Sequence, residues 1–466
     1  MTLAVSACTG GGAISPTTSP APTPLPPTPS PQGSLALVGH SRLYGRGMNA
    51  GLAVQGDYAY VGNRTDGYKS HVHPGVLVVS IRDPARPRIV GEIGPPEEGN
   101  PGETSRELRI WPAQHLLLVL NFGCDPFIHD CAGGFVRPTI RFYDISDAFA
   151  DRPRLVSTYK PSETPHEFIL WQDPSHAGRA LLYMSTPGAP DTVLITDISR
   201  AREGKFEEVA SWGADFPDPG PDDNLHSLSV SYDGRLAYLA HLTRGFFMID
   251  TSEVARGDAN PEIRLATPID RRLEWKGWGA HSAVRIPGRD LVLTTDEVYG
   301  SDEPGGGCPW GWARIIDVSD PASPAVLSEY RVLPYNDPAR CGQIAEERDR
   351  RSSFSSHNPT VTEHLAFVAW HSAGLQVFTT ADPSRPTQVA AFVPEPLHQV
   401  ATEDPALSSG LDKVVMWSYP IIQDGLIYVV DVRNGLYVLE YQGPYQEEVR
   451  SVGFLEGNSN LGEGGS

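Results

Sequence analysis

One strand–turn–strand pattern recurs seven times along this 466-residue chain, apolar third strands follow it, and prolines and glycines punctuate the runs between. These observations predict an all-β fold: a seven-bladed β-propeller of four-stranded antiparallel blades, with an N-terminal strand closing blade 7.

In chain order, the first two strands of the units read GLAVQGDYAYVGN, RELRIWPAQHLLLVLN, HEFILWQDPSHAGRALLYMST, HSLSVSYDGRLAYLAHL, HSAVRIPGRDLVLTTDE, HNPTVTEHLAFVAWH and SYPIIQDGLIYVVDV. Third strands include VLVVSIRDPARP, IRFYDISDAFADRP, ARIIDVSDPASP and LQVFTTADPSRP, and fourth strands such as RIVGEI, RLVSTY and TQVAAFV follow. A lone four-stranded sheet leaves apolar faces bare, whereas neighbouring repeats cover them. SLALVGHS, at 34–41, reads as a fourth strand separated from its blade, and it is expected to pair outside LYVLEY and tie the two chain ends together. The segment EEVRSVGF, at 447–454, competes for that slot.

Apolar residues at 40% are enough for a core, and a net charge of −20 argues against a phosphate-tracking surface. The longest basic cluster is the mixed run EERDRRS near Arg351, so no nucleic-acid partner is expected. No apolar run approaches the ~18 residues that a spanning helix needs.

The N-terminus has its own logic. Residues 1–8 end in Val5-Ser6-Ala7-Cys8, which resembles a lipobox and makes Cys8 the candidate lipidation site, although the stretch is short and lacks a basic region. Residues 9–33 form a Pro/Thr/Ser tract expected to be a disordered tether, followed by the propeller at 34–446 and a C-terminal tail at 447–466. The expected location is extracytoplasmic, cell-surface or periplasmic, with the membrane as a partner through the lipid anchor. The remaining cysteines are even in number: Cys124, Cys131, Cys308 and Cys341. Three pairings are possible. Cys124–Cys131 and Cys308–Cys341 are favoured, the second because both cysteines fall in loops of one face.

That face also carries the long connections, NRTDGYKSHVHPG, FGCDPFIHDCAGGFVRPT, VYGSDEPGGGCPWGW and the run through 334–356. Long loops on a rigid scaffold are where binding concentrates. In four consecutive units the innermost strand begins with His166, His226, His281 or His357, while Ala50, Arg106 and Ser418 take the equivalent places elsewhere. Four imidazoles should therefore point into one channel mouth and form a candidate site for one divalent transition metal (iron, copper or zinc). Glu167, Asp296 and Glu297 are the candidate outer partners of the rings. His71, His73, His129 and His371 should lie around the same mouth, while Trp275, Trp278, Trp310, Trp312 and Trp370 either roof it or fill blade interiors. A repeated histidine can equally be structural, bonded to the next blade's backbone.

The strand-three phrases and the stretch SHNPTVTEHLAFVAWHSAGLQVFTTADPSRPTQVAAFVPEP are similar to the LVIVD-repeat proteins, a resemblance extending over about 34–446. It implies a propeller and leaves activity open. Two function classes follow. One is a surface-anchored propeller that binds a small-molecule, glycan or protein ligand through its long-loop face. The other is a histidine-ligated metalloenzyme, oxygenase- or hydrolase-like. Carotenoid-cleaving oxygenases, propellers with four-histidine iron, show that such a site is buildable, although their surrounding motifs do not match here.

Overall fold

The computed structural model describes residues 32–462, apart from 69–70, 96–102, 125–130, 133–135, 189–191, 215, 217–223, 276–279, 300–307, 309, 344–352, 406, 408–409 and 411. Cys8, His129, Trp278 and nearly all of the proposed tether lie outside the described residues.

The protein is built from antiparallel sheets. Four are simple four-stranded meanders, running Glu167–Gln172 to Glu207–Trp212, Leu225–Val230 to Arg264–Leu265, Ala280–Arg285 to Ala325–Tyr330, and Pro359–Val361 to Thr387–Phe392. An eight-stranded sheet consists of two such meanders, Asn49–Gln55 to Arg88–Ile93 and Glu103–Trp111 to Arg154–Tyr159, joined at the single pair Asn63↔Ser105.

The apolar cores lie between sheets. Leu293 and Ile315 of one meander pack with Val368 and Phe378 of the next, and Ile169 and Tyr183 pack with Leu239 and Phe247. Val61 and Val79 near the N-terminus pack with Val430 and Val438 near the C-terminus, so the first and last sheets also share a core. Burial falls along each meander. The first strand Asn49–Gln55 is buried almost throughout, whereas the fourth strand Glu207–Trp212 is half-buried or exposed. This explains why the early strands of each unit are the most apolar.

The Ser34–Ser41 strand pairs antiparallel with Gly435–Gln442, from Ser34↔Gln442 to Ser41↔Leu436, as the outer edge of the last sheet. The competing segment goes elsewhere. Residues Gln446–Ser451 are a short helix, and Phe454–Glu456 pairs with Ile421–Gln423 on the opposite, inner edge. Residues 447–462, read above as a tail, thus belong to the fold. Past Glu456, residues 457–460 are buried, and Ser459 bridges Leu170 in parallel. Asn460 accepts from the Gln172 N–H at 2.8 Å and donates to the Gln172 carbonyl at 2.8 Å. Gly457 is required at this crossing, because a Cβ there would lie 1.9 Å from the Pro359 carbonyl.

Candidate metal centre

The geometry begins with bulges in the inner strands. Pairing shifts register between Leu225 and Ser227, and again between Ala280 and Ser282, so His226 and His281 are the extra residues. A bulge opposes two residues to one and re-aims the extra side chain. His166 and His357 stand just ahead of their strands, their N–H groups donating to Ser185 O at 2.8 Å and Ala369 O at 2.9 Å.

The rings meet in a row. Centroid separations are 4.5 Å for His166–His226, 4.0 Å for His226–His281 and 4.2 Å for His281–His357, and His371 follows at 5.0 Å from His357. His166 Nε2 is 3.0 Å from His226 Nε2. Glu297 lies against this row. Its Oε2 is 3.8 Å from His226 Nε2 and 3.5 Å from His281 Nε2, and its Oε1 is 3.3 Å from His357 Nε2. Two groups, His226–His281–Glu297 and Glu297–His357–His371, each bring three ligand atoms within 4.8 Å of one another. Ligands about 2.1 Å from a tetrahedral metal are separated by roughly 3.4 Å, so either group of three is near the spacing an ion requires.

The hydrogen bonds set the tautomers. His357 Nδ1 is 2.9 Å from the Trp417 carbonyl, which can only accept, so that nitrogen carries the proton. The other ring nitrogen, Nε2, faces Glu297 Oε1 at 3.3 Å. His281 Nδ1 meets Ser282 Oγ at 2.8 Å and His371 Nδ1 meets Ser353 Oγ at 2.8 Å, while the Tyr299 hydroxyl donates to Glu297 Oε1 at 2.6 Å.

Electrostatics point the same way. Burial lowers His226 to about 4 and His371 to about 3. Burial, reinforced by His226, holds His166 and His281 well below the ordinary imidazole value. Burial pushes Glu297 up, but the neighbouring imidazoles His281, His357 and His226 outweigh it and keep the carboxyl well below its usual value. Imidazoles whose burial disfavours protonation, set around a carboxylate, are a ligand set for a divalent cation.

Two of the expected outer partners do something else. Asp296 is gripped by Arg314 at 2.8 and 2.9 Å and by Trp275 Nε1 at 3.0 Å. Glu167 faces Arg109, with Oε1 3.5 Å from Nη2, and burial followed by Glu107 raises it to about 7. Successive residues of an extended chain face opposite ways, so Asp296 turns into the sheet packing and its neighbour Glu297 into the mouth. Glu297, expected behind the rings, lies among them as a ligand candidate. The rings are backed instead by Trp417 O, Ser282 and Ser353.

Of the other histidines, His371 joins the row. His71 bonds Thr65 Oγ1 at 2.6 Å, and His73 bonds Glu92 at 2.9 Å and stacks on Tyr44, so neither is part of it. Trp310 and Trp370 are fully buried core fillers. Two residues escaped the sequence reading. Trp417 lies parallel to His371, with Arg64 stacked 4.1 Å from its ring centroid, and Tyr299 caps Glu297. The spacing of Tyr299, two residues past Glu297 on the same side of an extended chain, was the available signal.

The row opens into a cavity of about 370 Å³ whose wall also includes Arg64, Arg106, Phe122, Leu242, Tyr299 and Trp417. Cys124–Cys131 and Cys308–Cys341 are disulfides, with Cα separations of 6.2 and 5.6 Å, and Cys124 borders the cavity. Such bonds suit an oxidising, extracytoplasmic environment. Among the described residues, no helix is long and apolar enough to cross a membrane.

Comparison with known proteins adds the fold and the repeat. Sqt1 from Chaetomium thermophilum is similar at 14% identity and TM-score 0.50, over 88% of this chain and 99% of that one. Saccharomyces cerevisiae Sqt1 is similar at 9% identity and TM-score 0.49, over 88% and 99%. No curated protein matches the chain. The LVIVD repeat model matches residues 46–69 and 313–332, the second covering the phrase ARIIDVSDPASP. This chain therefore carries LVIVD repeats on a propeller-like β fold.

Proposed function

We propose that this protein is an extracytoplasmic seven-bladed propeller whose channel mouth binds one divalent transition metal (iron, copper or zinc), held by Nε2 atoms of His166, His226, His281 and His357 together with Glu297. The observation that carries the reading is the approach of the Glu297 carboxylate to the Nε2 atoms of His226, His281 and His357 at 3.8, 3.5 and 3.3 Å, within a row of buried rings. Seven blades are supported by the apolar cores, which link each four-stranded unit to the next and the last to the first. The ion would sit at the bottom of a cavity open to small molecules, so its role is to bind or activate a ligand there. The Cys8 lipobox and the Pro/Thr/Ser tract support attachment to a membrane surface.

Metal analysis of protein purified without chelators tests the reading. We expect about one equivalent of metal per chain, lost in a His226→Ala/His281→Ala variant that stays folded. A wild type that carries no metal and takes up none on titration with zinc, iron(II) or copper(II) contradicts it.

A further inference from the structure

Arg106 occupies the place in its inner strand that histidine takes in the four units that follow. The register shifts between Ser105 and Glu107, which makes Arg106 the bulged residue, as His226 and His281 are in theirs. The same backbone device that aims imidazoles into the mouth aims a guanidinium there. Its surroundings are unusual for a cation. Phe122 lies below it, with the guanidinium carbon 5.4 Å from the ring centroid, and Phe122 in turn lies 6.2 Å from the His166 ring. The second cation of the mouth, Arg64, is committed to Asp404 at 3.0 Å. The adjacent carboxylate, Glu107, is turned to Arg109 at 3.3 Å. Among the described residues, no hydrogen bond or ion pair reaches the Arg106 guanidinium, although it lines the cavity. Arg106 is half-buried at the cavity wall, so its unpaired guanidinium is open to a ligand that supplies the counter-charge. Burial and the nearby Arg64 lower its affinity for its own proton, against the opposing pull of Glu107 and Glu297.

We infer that Arg106 is the anion-recognition residue of the mouth, and that the ligand is a small organic acid whose carboxylate lies on Arg106 while its remainder faces the histidine row. The guanidinium fork matches a planar carboxylate with two parallel hydrogen bonds. The apolar walls, Phe122, Leu242 and Trp417, select an acid with a hydrocarbon or aromatic body over an inorganic oxyanion. A cavity of about 370 Å³ limits it to a compact molecule. The placement of the far end near a metal rests on the reading above, but the Arg106 contact does not.

Isothermal titration of wild type, Arg106→Gln and Arg106→Lys with benzoate, benzamide and inorganic phosphate tests this, with metal content measured on each sample and the series repeated after chelation. Because Arg106 makes no hydrogen bond or ion pair to another described side chain and touches only Phe122, the variants should fold with little change in Tm. We expect benzoate to bind wild type at least tenfold more tightly than Arg106→Gln, partial recovery in Arg106→Lys, and little binding of benzamide or phosphate. Equal benzoate affinity in wild type and Arg106→Gln, benzamide binding as well as benzoate, or no benzoate binding to protein that retains its metal would each overturn the inference. Phosphate binding that matches benzoate and depends on Arg106 would overturn the organic-acid assignment. Arg106-dependent benzoate binding by protein that never contains metal would uphold the inference and remove the metal reading alone.

Discussion

Replacing Glu297 by Gln keeps the shape of the side chain but removes the charge that faces three Nε2 atoms, so the account predicts weakened metal binding with little change in folding. Outer partners of metal-binding histidines are worth about 10–100-fold in affinity, and a direct ligand should cost no less. Equilibrium dialysis against zinc would read the change. The neighbouring substitution, Asp296→Asn, should behave in the opposite way. It takes from Arg314, buried between Trp275 and Trp312, the carboxylate that holds it at 2.8 and 2.9 Å, leaving Glu329 at 3.5 Å. Breaking a buried pair from one side is destabilising, less so where a second carboxylate remains, so thermal melting should show a loss, with metal affinity per folded molecule unchanged. Sequence alone placed both carboxylates near the mouth, but which of the two turns inward depends on where the strand ends. The four histidines were legible because the repeat puts them at one position. The contributions of Tyr299 and Trp417 were not, because they come from non-repeating connections.

At the scale of elements, the segment after Ser451 is the instructive case. Its sequence, Val452-Gly453-Phe454-Leu455-Glu456-Gly457-Asn458-Ser459-Asn460, has no strong periodicity and reads as tail. It is buried because Asn460 and the backbone of Asn458 find hydrogen bonds on the inner strand at Leu170 and Gln172, which no pattern of apolar residues announces. Within it, burial raises Glu456 to about 7, partly offset by Arg109. A carboxyl whose folded pKa lies above its unfolded one stabilises the fold below the unfolded value, and that contribution is lost as pH rises through the folded value. Stability should therefore fall between about pH 4.5 and 7, and Glu456→Gln should flatten this part of the profile and raise Tm at pH 8 relative to wild type. An unchanged pH–Tm profile in the variant would show that the segment is not seated as described.

For the whole molecule, closure depends on the N-terminal strand. Residues Ser34–Ser41 came out at the outer edge of the last sheet, the position that the strand pattern predicts, because an isolated apolar strand must find a partner and LYVLEY offers an open edge. A chain beginning at Leu43 exposes that edge and should melt several degrees lower, with a greater tendency to aggregate. An unchanged melting curve would mean that the ring closes by other contacts. The disulfides join cysteines 7 and 33 positions apart in the chain, far from both ends of the sheet that closes it, and do not substitute for this closure. What the fold achieves is to bring four histidines, separated by scores of residues, into one row. X-ray absorption at the metal edge, on protein loaded with one equivalent of zinc, examines that convergence directly. The account predicts three or four nitrogen ligands at about 2.0–2.1 Å, with an imidazole scattering pattern that weakens in the His226→Ala/His281→Ala variant. A spectrum of oxygen ligands alone, or one that is the same in the variant, would contradict it.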